Sequence, residues 1–363
     1  MNGRVNADDF PSLQAAVDAL SDVGGEVKLS ARTYILKQPV VLKNRIRFQG
    51  VMDSKDWRSV TKIQPAPDFT GEWLFVTKAV PAKGNPDLNL DLFFFDLDMG
   101  GSTNVGGIYG LNIDTLRIER CRLAGLKNGI RISQLTDLPR PWHWAIAPGG
   151  AFINNSVFKC SDTAIQIEYA TQNRIYANWF VGGGKTIFHL KNSDKTWFYA
   201  NELNNVKDSS IIIEDDGLPG NTVHEIFISL NWLNLVNPGS KFLDLRPNGK
   251  HFERVQVINN IFEGVGTCDT AALDPKLGNR FEGNTGTQPG VASQAAGRFE
   301  IKSNMKAVKI EHGLYKTPVH VGITFENKPP VYWVSAKDEK SFTVSFDEPI
   351  STGAFTWIAV AAP

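Results

Sequence analysis

The sequence predicts an all-β protein: a right-handed parallel β-helix (solenoid) with an N-terminal capping helix and a small C-terminal antiparallel β-sandwich. Three observations lead to this fold class. Polar residues recur at nearly regular intervals, an alternating apolar strand follows each of them, and the recurrence stops near residue 290, where a different strand pattern begins. We therefore expect four segments: an N-terminal cap (1–25), the β-helix (26–289), a linker (290–298) and the β-sandwich (299–363).

The recurring unit is an apolar residue, a gap, a polar or small residue, and an apolar residue two positions further on, as in RIYANWF and VQVINNIF. Successive polar positions are separated by 22 to 35 residues, which suits one coil of a solenoid. Equivalent residues would stack about 4.8 Å apart, so we expect asparagine amides to bond from coil to coil and to occupy a bend with left-handed backbone angles. The column reads Cys121, Ser156, Asn178, Asn201, Asn231, Asn260 and Asn284.

A second strand follows in each coil, with the sequences GIRIS, AIQIE, TIFHLK, SIIIED, KFLDLRP and AALDP. Alternate residues of a strand face opposite sides, which places isoleucine, leucine and phenylalanine inside. The pairs expected in the core are Ile130/Ile132, Ile165/Ile167, Phe188/Leu190, Ile211/Ile213 and Leu243/Leu245. Two outward columns follow from this assignment: Arg131, Gln166, His189, Ile212 and Asp244, and beside it Ser133, Glu168, Lys191, Glu214 and Arg246.

The two ends are distinct from the repeats. Residues Phe10 to Leu20 form the one segment with a helical pattern, with Asp8 and Asp9 as expected N-caps, and they would cover the open end of the solenoid. At the other end GVASQAAG reads as a linker, and six alternating strands follow it, from RFEIKS to GAFTWIAVA.

Composition excludes several classes of function. The 38 basic residues balance 38 acidic ones, so the net charge gives no reason to expect nucleic acid or an anionic membrane as partner. Cys121, Cys160 and Cys268 match no disulfide framework or metal-ligand spacing. The first residues lack the pattern of an export signal, and no apolar run is long enough to insert into a membrane.

From Asn6 to Gly286 the chain resembles the pectate-lyase superfamily of β-helix proteins. The resemblance lies in NADDFPSLQAAVDAL, in GGEVKLSARTYILKQPVVLKNRIRFQG and in the coils after FFFDLDMGGSTNVGGIYG. The last segment, from AVKIEH to GAFTWIAVA, is similar to small β-domains that end phage tail fibres and tailspikes. Together these similarities imply a tailspike, located on the virion tail, that binds a bacterial surface polysaccharide and, as an enzyme, depolymerises it. They also imply that the protein trimerises through residues 299–363.

The resemblance implies no particular catalytic residues. The polygalacturonase signatures Asn-Thr-Asp, Asp-Asp and Arg-Ile-Lys do not occur in matching coils, nor does a pectate lyase set of calcium and arginine ligands. The N-terminal virion-anchoring domain usual in tailspikes is also not represented, so anchoring is expected to need another segment or another protein.

The outward columns supply candidates for glycoside hydrolysis, which needs two carboxyl groups about 5 to 9.5 Å apart. Stacking of adjacent coils brings outward carboxylates to such separations. The acid and base candidates are Glu168, Glu214, Asp215 and Asp244, with His189 as an alternative proton carrier. The competing interpretation is structural, because Glu168, Lys191, Glu214 and Arg246 alternate in sign as a ladder of ion pairs does.

A lyase is the alternative chemistry. It removes a proton beside a uronate carboxylate with a base such as His189, while cations steady the enolate. Candidate substrate-binding residues are Arg131, Lys191 and Arg246, together with Trp142, His143 and Trp144 from the insertion between Gln134 and Gly150. The rings of this insertion could offer flat faces to sugars, or the tryptophans could be buried under a folded-back loop. No cofactor is expected, although a lyase can use a divalent cation such as calcium.

Asp96 and Asp98 are weak candidates for a cation site, because residues two apart on a strand project from one face. Capping of the turn at Gly100 and Gly101 explains them as well. Three functions thus remain open: a depolymerising tailspike, a tail spike that binds without catalysis, and a secreted lyase, hydrolase or epimerase of a cellular organism.

Overall fold

The computed structural model describes residues 3–361, except for 21, 44, 54, 56–57, 78–90, 112, 134–149, 218–222, 236, 249–251, 287–293, 303, 315 and 328–329. Three long parallel sheets form the walls of a right-handed parallel β-helix, as the sequence predicts. None of the described residues belongs to a helix with the length and hydrophobicity needed to span a bilayer.

Each coil contributes one strand to each sheet. Sheet A contains, in spatial order, β1 (Gly3–Asn6), β2 (Gly25–Lys28), β5 (Ile46–Gln49), β8 (Asp91–Phe95), β11 (Thr115–Glu119), β14 (Gly150–Asn154), β17 (Arg174–Tyr176), β20 (Thr196–Tyr199), β23 (His224–Ser229), β26 (Glu253–Ile258) and β29 (Arg280–Glu282). Sheet B contains β3 (Thr33–Leu36), β6 (Lys62–Pro65), β9 (Asp98–Ser102), β12 (Arg122–Leu126), β15 (Val157–Cys160), β18 (Trp179–Phe180), β21 (Glu202–Asn204), β24 (Trp232–Leu235), β27 (Ile261–Gly264) and β30 (Thr285–Gly286). Sheet C contains β4 (Val40–Leu42), β7 (Trp73–Thr77), β10 (Gly106–Leu111), β13 (Ile130–Ser133), β16 (Thr163–Glu168), β19 (Thr186–Lys191), β22 (Ser209–Glu214), β25 (Lys241–Arg246) and β28 (Thr267–Cys268).

The interior is a stack of apolar side chains that runs the length of the three sheets. All five pairs that the alternation assigns to the core, from Ile130/Ile132 to Leu243/Leu245, are buried there. The segment AALDP differs from its prediction, because the strand of that coil is Thr267–Cys268, whereas residues 271–272 form a turn and a 3₁₀ helix begins at Pro275. None of the three cysteines is in a disulfide, and burial raises the pKa of the Cys121 and Cys160 thiols to about 12.

The polar column between sheets A and B is a hydrogen-bonded ladder, as expected. The side-chain amide of Asn178 donates to Asn201 Oδ1 at 3.1 Å, and the next rungs continue at 3.0 Å through Asn231, Asn260 and Asn284. The predicted left-handed bend lies one residue earlier, however. Positive φ angles occur at the residues that precede the ladder, namely Asp96, Arg120, Asn155, Ala177, Ala200, Leu230, Asn259 and Gly283. The ladder residues are buried because each amide must reach main-chain groups of the neighbouring coils.

The N-terminal cap contains a helix that is shorter than predicted. Helix α1 spans Leu13–Asp18 and is capped by Ser12, whose hydroxyl accepts from the Ala15 N–H at 3.1 Å. Asp8 and Asp9 are therefore not its N-caps. They lie in a separate 3₁₀ turn (Ala7–Asp9), where Asp8 accepts a hydrogen bond from the Tyr34 hydroxyl and pairs with Arg32.

The C-terminal segment forms two three-stranded antiparallel sheets around their own core. The strands are β31 (Gln294–Ile301), β32 (Met305–Glu311), β33 (Pro318–Phe325), β34 (Tyr332–Lys337), β35 (Ser341–Ile350) and β36 (Gly353–Ala361). Strand β31 begins inside the expected linker 290–298, because residues from Gln294 onward pair with β36. Residues 290–293 lie outside the described ranges.

Candidate functional site

The outward columns of sheet C have the register that the sequence predicts. His189 pairs with Gln166 on one side and Ile212 on the other, while Glu214 lies between Lys191 and Arg246. We call the polar residues of these strands the charged row: Arg131, Gln166, Glu168, His189, Lys191, Glu214, Lys241, Asp244 and Arg246. Glu214 therefore shares one face of sheet C with six other candidates from the sequence: Arg131, Glu168, His189, Lys191, Asp244 and Arg246.

Glu214 is at the centre of the charged row. Its carboxylate accepts from Lys191 Nζ at 3.2 Å, lies 3.0 Å from His189 Nε2 and is 3.7 Å from Arg246 Nη1. Partial burial opposes ionisation of Glu214, but the hydrogen bond and charge of Lys191, together with His189, outweigh it and hold the pKa of Glu214 below its usual range. Glu214 is therefore ionised at neutral pH.

His189 is neutral at neutral pH. Burial lowers the pKa of its imidazole below the ordinary value, and the neighbouring Glu214 carboxylate only partly offsets this. A neutral imidazole can accept a proton. Glu214 is placed to stabilise the charge that His189 would then acquire, because the two groups are already in contact.

Asp244 is enclosed by cations. Lys241 Nζ and Arg246 Nη2 each donate to its carboxylate at 2.7 Å. Burial raises the pKa of Asp244, but these two hydrogen bonds lower it more, so the net shift is downward. At the other end of the row, Glu168 accepts from Arg131 Nη2 at 3.0 Å and from Gln166 at 2.8 Å.

The charged row thus contains the ion-pair ladder that the alternating signs indicate, and it also contains a neutral base. Four cations (Arg131, Lys191, Lys241 and Arg246) face three carboxylates (Glu168, Glu214 and Asp244). An excess of positive charge beside a neutral imidazole suits the binding and deprotonation of an acidic sugar. Hydrolysis instead requires one carboxyl group to be protonated, and the lowered pKa values of Glu214 and Asp244 oppose this.

Asp215 does not face the charged row. Its side chain is fully buried, and its Oδ1 accepts from the Gly217 N–H at 2.7 Å. Direct contact of Asp215 with a glycan is therefore prevented by burial. The adjacent Asp216 accepts from the Tyr169 hydroxyl at 2.8 Å, and burial together with this bond raises the pKa of Tyr169 to about 12.

The other candidates lie elsewhere. Trp142, His143 and Trp144 are outside the described residues. Asp96 and Asp98 do not share a strand face, because β8 ends at Phe95 and the chain bends at Asp96 with a φ of 58°. Asp96 is buried and bonds bidentately to Arg120, whereas Asp98 pairs with Arg122. Within the described part of the chain, no group of three or more histidine, cysteine or acidic side chains is arranged to hold a metal ion.

Aromatic rings line the outer face of sheet A, but they are stacked on each other. The rings of Tyr176 and Tyr199 are 5.1 Å apart and nearly parallel, and those of Trp197 and Phe227 are 5.8 Å apart at 3°. Arg174 lies over the rings of Phe152 and Trp197. Faces that cover one another along the axis cannot receive a sugar, so this stack stabilises the sheet.

A groove along sheet B was not anticipated from the sequence. It has a volume of about 1040 Å³, and its lining includes Met52, Asp53, Arg58 and Ser59 from the insertion between β5 and β6, and Trp179 of β18. We call the side chains Arg32, Arg58, Lys62, Arg120, Arg122 and Trp179 the arginine groove. The sequence did contain a signal for the exposure of Trp179. It lies between Asn178 and Phe180, which both point inward, so its own side chain must point outward.

Comparisons with known proteins give the following. No protein-family model matches the chain, and no curated protein matches it in sequence. Among solved structures, the chain is similar to the tailspike gp49 of Acinetobacter baumannii bacteriophage Fri1, a capsular polysaccharide depolymerase, with 10% identity and a TM-score of 0.44 over 99% of this chain and 86% of that one.

Two further structures are of the same class of protein. The Dettilon tailspike gp208 is 13% identical with a TM-score of 0.38, over 98% of this chain and 94% of that one. The Pseudomonas phage phi297 tailspike gp61 is 9% identical with a TM-score of 0.36, over 99% of each chain. All three proteins are tailspikes, the class that the sequence resembles. Identities and TM-scores of this size do not assign an activity to this chain.

Proposed function

We propose that this protein is a tailspike-like β-helix that binds an acidic bacterial surface polysaccharide and cleaves it at the charged row by elimination. The observation that carries the proposal is the pairing of His189 with Glu214 among Lys191, Arg246 and Arg131. Cleavage of a uronate-containing glycan by elimination needs a base that takes the proton and positive charge that binds the carboxylate.

In the proposed reaction His189 takes the proton from the carbon next to the uronate carboxylate. The electrons of that C–H bond form a double bond as the bond to the glycosidic oxygen breaks, and the leaving oxygen gains a proton from the imidazolium or from water. Lys191 and Arg246 would hold the carboxylate and stabilise the enolate. Glu214 would stabilise the imidazolium, since it already contacts the ring at 3.0 Å.

The second candidate is a spike that binds glycan without cleaving it. It is favoured by one observation: each carboxylate of the charged row already has a cationic partner, as in a ladder that only stabilises the sheet. We place the protein on the virion tail and expect a homotrimer in either case. Secretion by a cellular organism is the alternative location, and mass spectrometry of purified phage particles distinguishes the two.

The test uses a histidine pair. His189 and His224 have similar exposed fractions, 18% and 15%, and each contacts a carboxylate, but His224 lies on sheet A. His189→Ala should abolish release of unsaturated sugar ends from uronate-containing capsular polysaccharides, and His224→Ala should retain it. Release of reducing ends without unsaturation would indicate hydrolysis. Binding without any product by the parent protein would leave the second candidate.

A further inference from the structure

We infer that the arginine groove on sheet B is a second glycan-binding site. It is separate from the charged row and binds an acidic segment of a polysaccharide. The inference shares with the proposed function only the class of ligand. It rests on the shape of the groove, the ion pairs of its cations and the exposure of its tryptophan.

The groove follows one outward column of sheet B. From coil to coil this column places Lys62 beside Asp98, Asp98 beside Arg122, and Trp179 two coils beyond Arg122, about 9.6 Å along the axis. An antiparallel bridge joins Met52 to Ser59, and these two residues line the groove together with Asp53 and Arg58. A concave channel parallel to the axis fits an extended polymer rather than a compact ligand.

The cations of the groove differ in what they already bind. Arg120 is held by Asp96 and Glu119, Arg122 by Asp98, and Arg32 by Asp8. Arg58 and Lys62 form no ion pair with any residue in the described ranges, and both are exposed. These two cations are therefore available to the scattered carboxylates of an acidic glycan. Polynucleotides are less suited, since their binding relies on many phosphate contacts.

Trp179 supplies the apolar surface that sugar binding needs. Trp179 is 49% exposed, and its indole has no ring partner in the described part of the chain, unlike the stacked rings of sheet A. Trp232 follows two coils later in the same column, with 39% of its surface exposed. Exposed indoles spaced along the axis form platforms for successive sugar rings.

Binding is tested with the full-length protein carrying His189→Ala, so that cleavage does not consume the ligand. The probes are polygalacturonate, alginate and hyaluronan, which all contain uronic acids, with dextran as the neutral polymer. We expect at least one uronate polymer to bind. Trp179→Ala should weaken its affinity about tenfold or more. The double variant Arg58→Gln/Lys62→Gln should weaken it and reduce its dependence on salt.

The matched controls are Trp333→Ala, because Trp333 is 48% exposed in the C-terminal domain, and Lys207→Gln, at an exposed lysine outside the groove. Both should bind as the parent does, and circular dichroism establishes that each variant is folded. The inference is overturned if no uronate polymer binds, if dextran binds equally well, if single-stranded DNA displaces the glycan at lower concentration, or if folded groove variants keep full affinity. Failure of the charged row to cleave would leave this result unchanged, so the two proposals are separately testable.

Discussion

The contact between His189 and Glu214 couples the protonation of the two side chains. Burial lowers the pKa of His189 from 6.5, while the Glu214 charge raises it. If neutral His189 is the base, cleavage increases as pH rises through this pKa, and the acid limb of kcat/KM lies below pH 6.5. Glu214→Gln removes the raising effect, so the limb should move to lower pH. The measurement is the pH dependence of kcat/KM for the parent and for Glu214→Gln. An acid limb that stays in place or moves to higher pH in the variant contradicts the role of His189.

Each ladder asparagine satisfies several buried groups at once. Asn231 accepts from the N–H and the side-chain amide of Asn201, and it donates to Phe198 O and Asn260 Oδ1, all at 2.9 to 3.0 Å. Asn231→Ala leaves these partners buried and unpaired, so it should destabilise the fold by about 3–5 kcal/mol. Denaturant unfolding measures the loss. Asn234→Ala, on the outer face of sheet B, should change stability by less than about 0.5 kcal/mol.

At the scale of single strands, β27 ends in a glycine that no other residue replaces easily. Gly264 has a φ of 95°, and a Cβ there would lie 1.7 Å from Leu235 O in the neighbouring strand β24. Gly239 has a similar φ of 86° but open space around it. Gly239→Ala should therefore cost only the backbone strain, about 1–2 kcal/mol, and Gly264→Ala considerably more. Equal shifts in the unfolding midpoint would show that the close approach to Leu235 is not significant.

The strands of sheets B and C were predictable wherever an apolar alternation fixed the inward face. That alternation places Phe188 and Leu190 inside, so His189 and Lys191 had to point outward, and the ladder spacing aligned them with Ile212 and Glu214. The burial of Asp215 was not predictable, because it follows from the turn after β22. The arginine groove was missed for a different reason: Arg58 belongs to an insertion between strands, and only the folded chain places it in the same groove as Trp179.

At the scale of the whole molecule, the C-terminal sandwich exposes apolar side chains that a monomer would leave in water. Val319 and Val331 have 58% and 69% of their surface exposed. We expect light scattering of the full chain to give three times its 40.1 kDa mass. The double variant Val319→Asp/Val331→Asp should reduce this to the monomer mass. Val23→Asp, which alters an equally exposed valine of the cap, should remain trimeric. A wild-type mass of 40.1 kDa, or an unchanged mass for the double variant, contradicts the trimer.

The amide-to-amide hydrogen bonds of the ladder all run in one direction, from Asn178 toward Asn284. Asn201, Asn231 and Asn260 therefore each present an amide oxygen to the asparagine of the coil before and an amide N–H to the asparagine of the coil after. A coil that is duplicated or deleted from rung to rung leaves the neighbouring rungs able to bond again, and the rod becomes longer or shorter by about 4.8 Å. Length is thus a modular property of this molecule: gene rearrangements can lengthen or shorten the β-helix without redesigning its core.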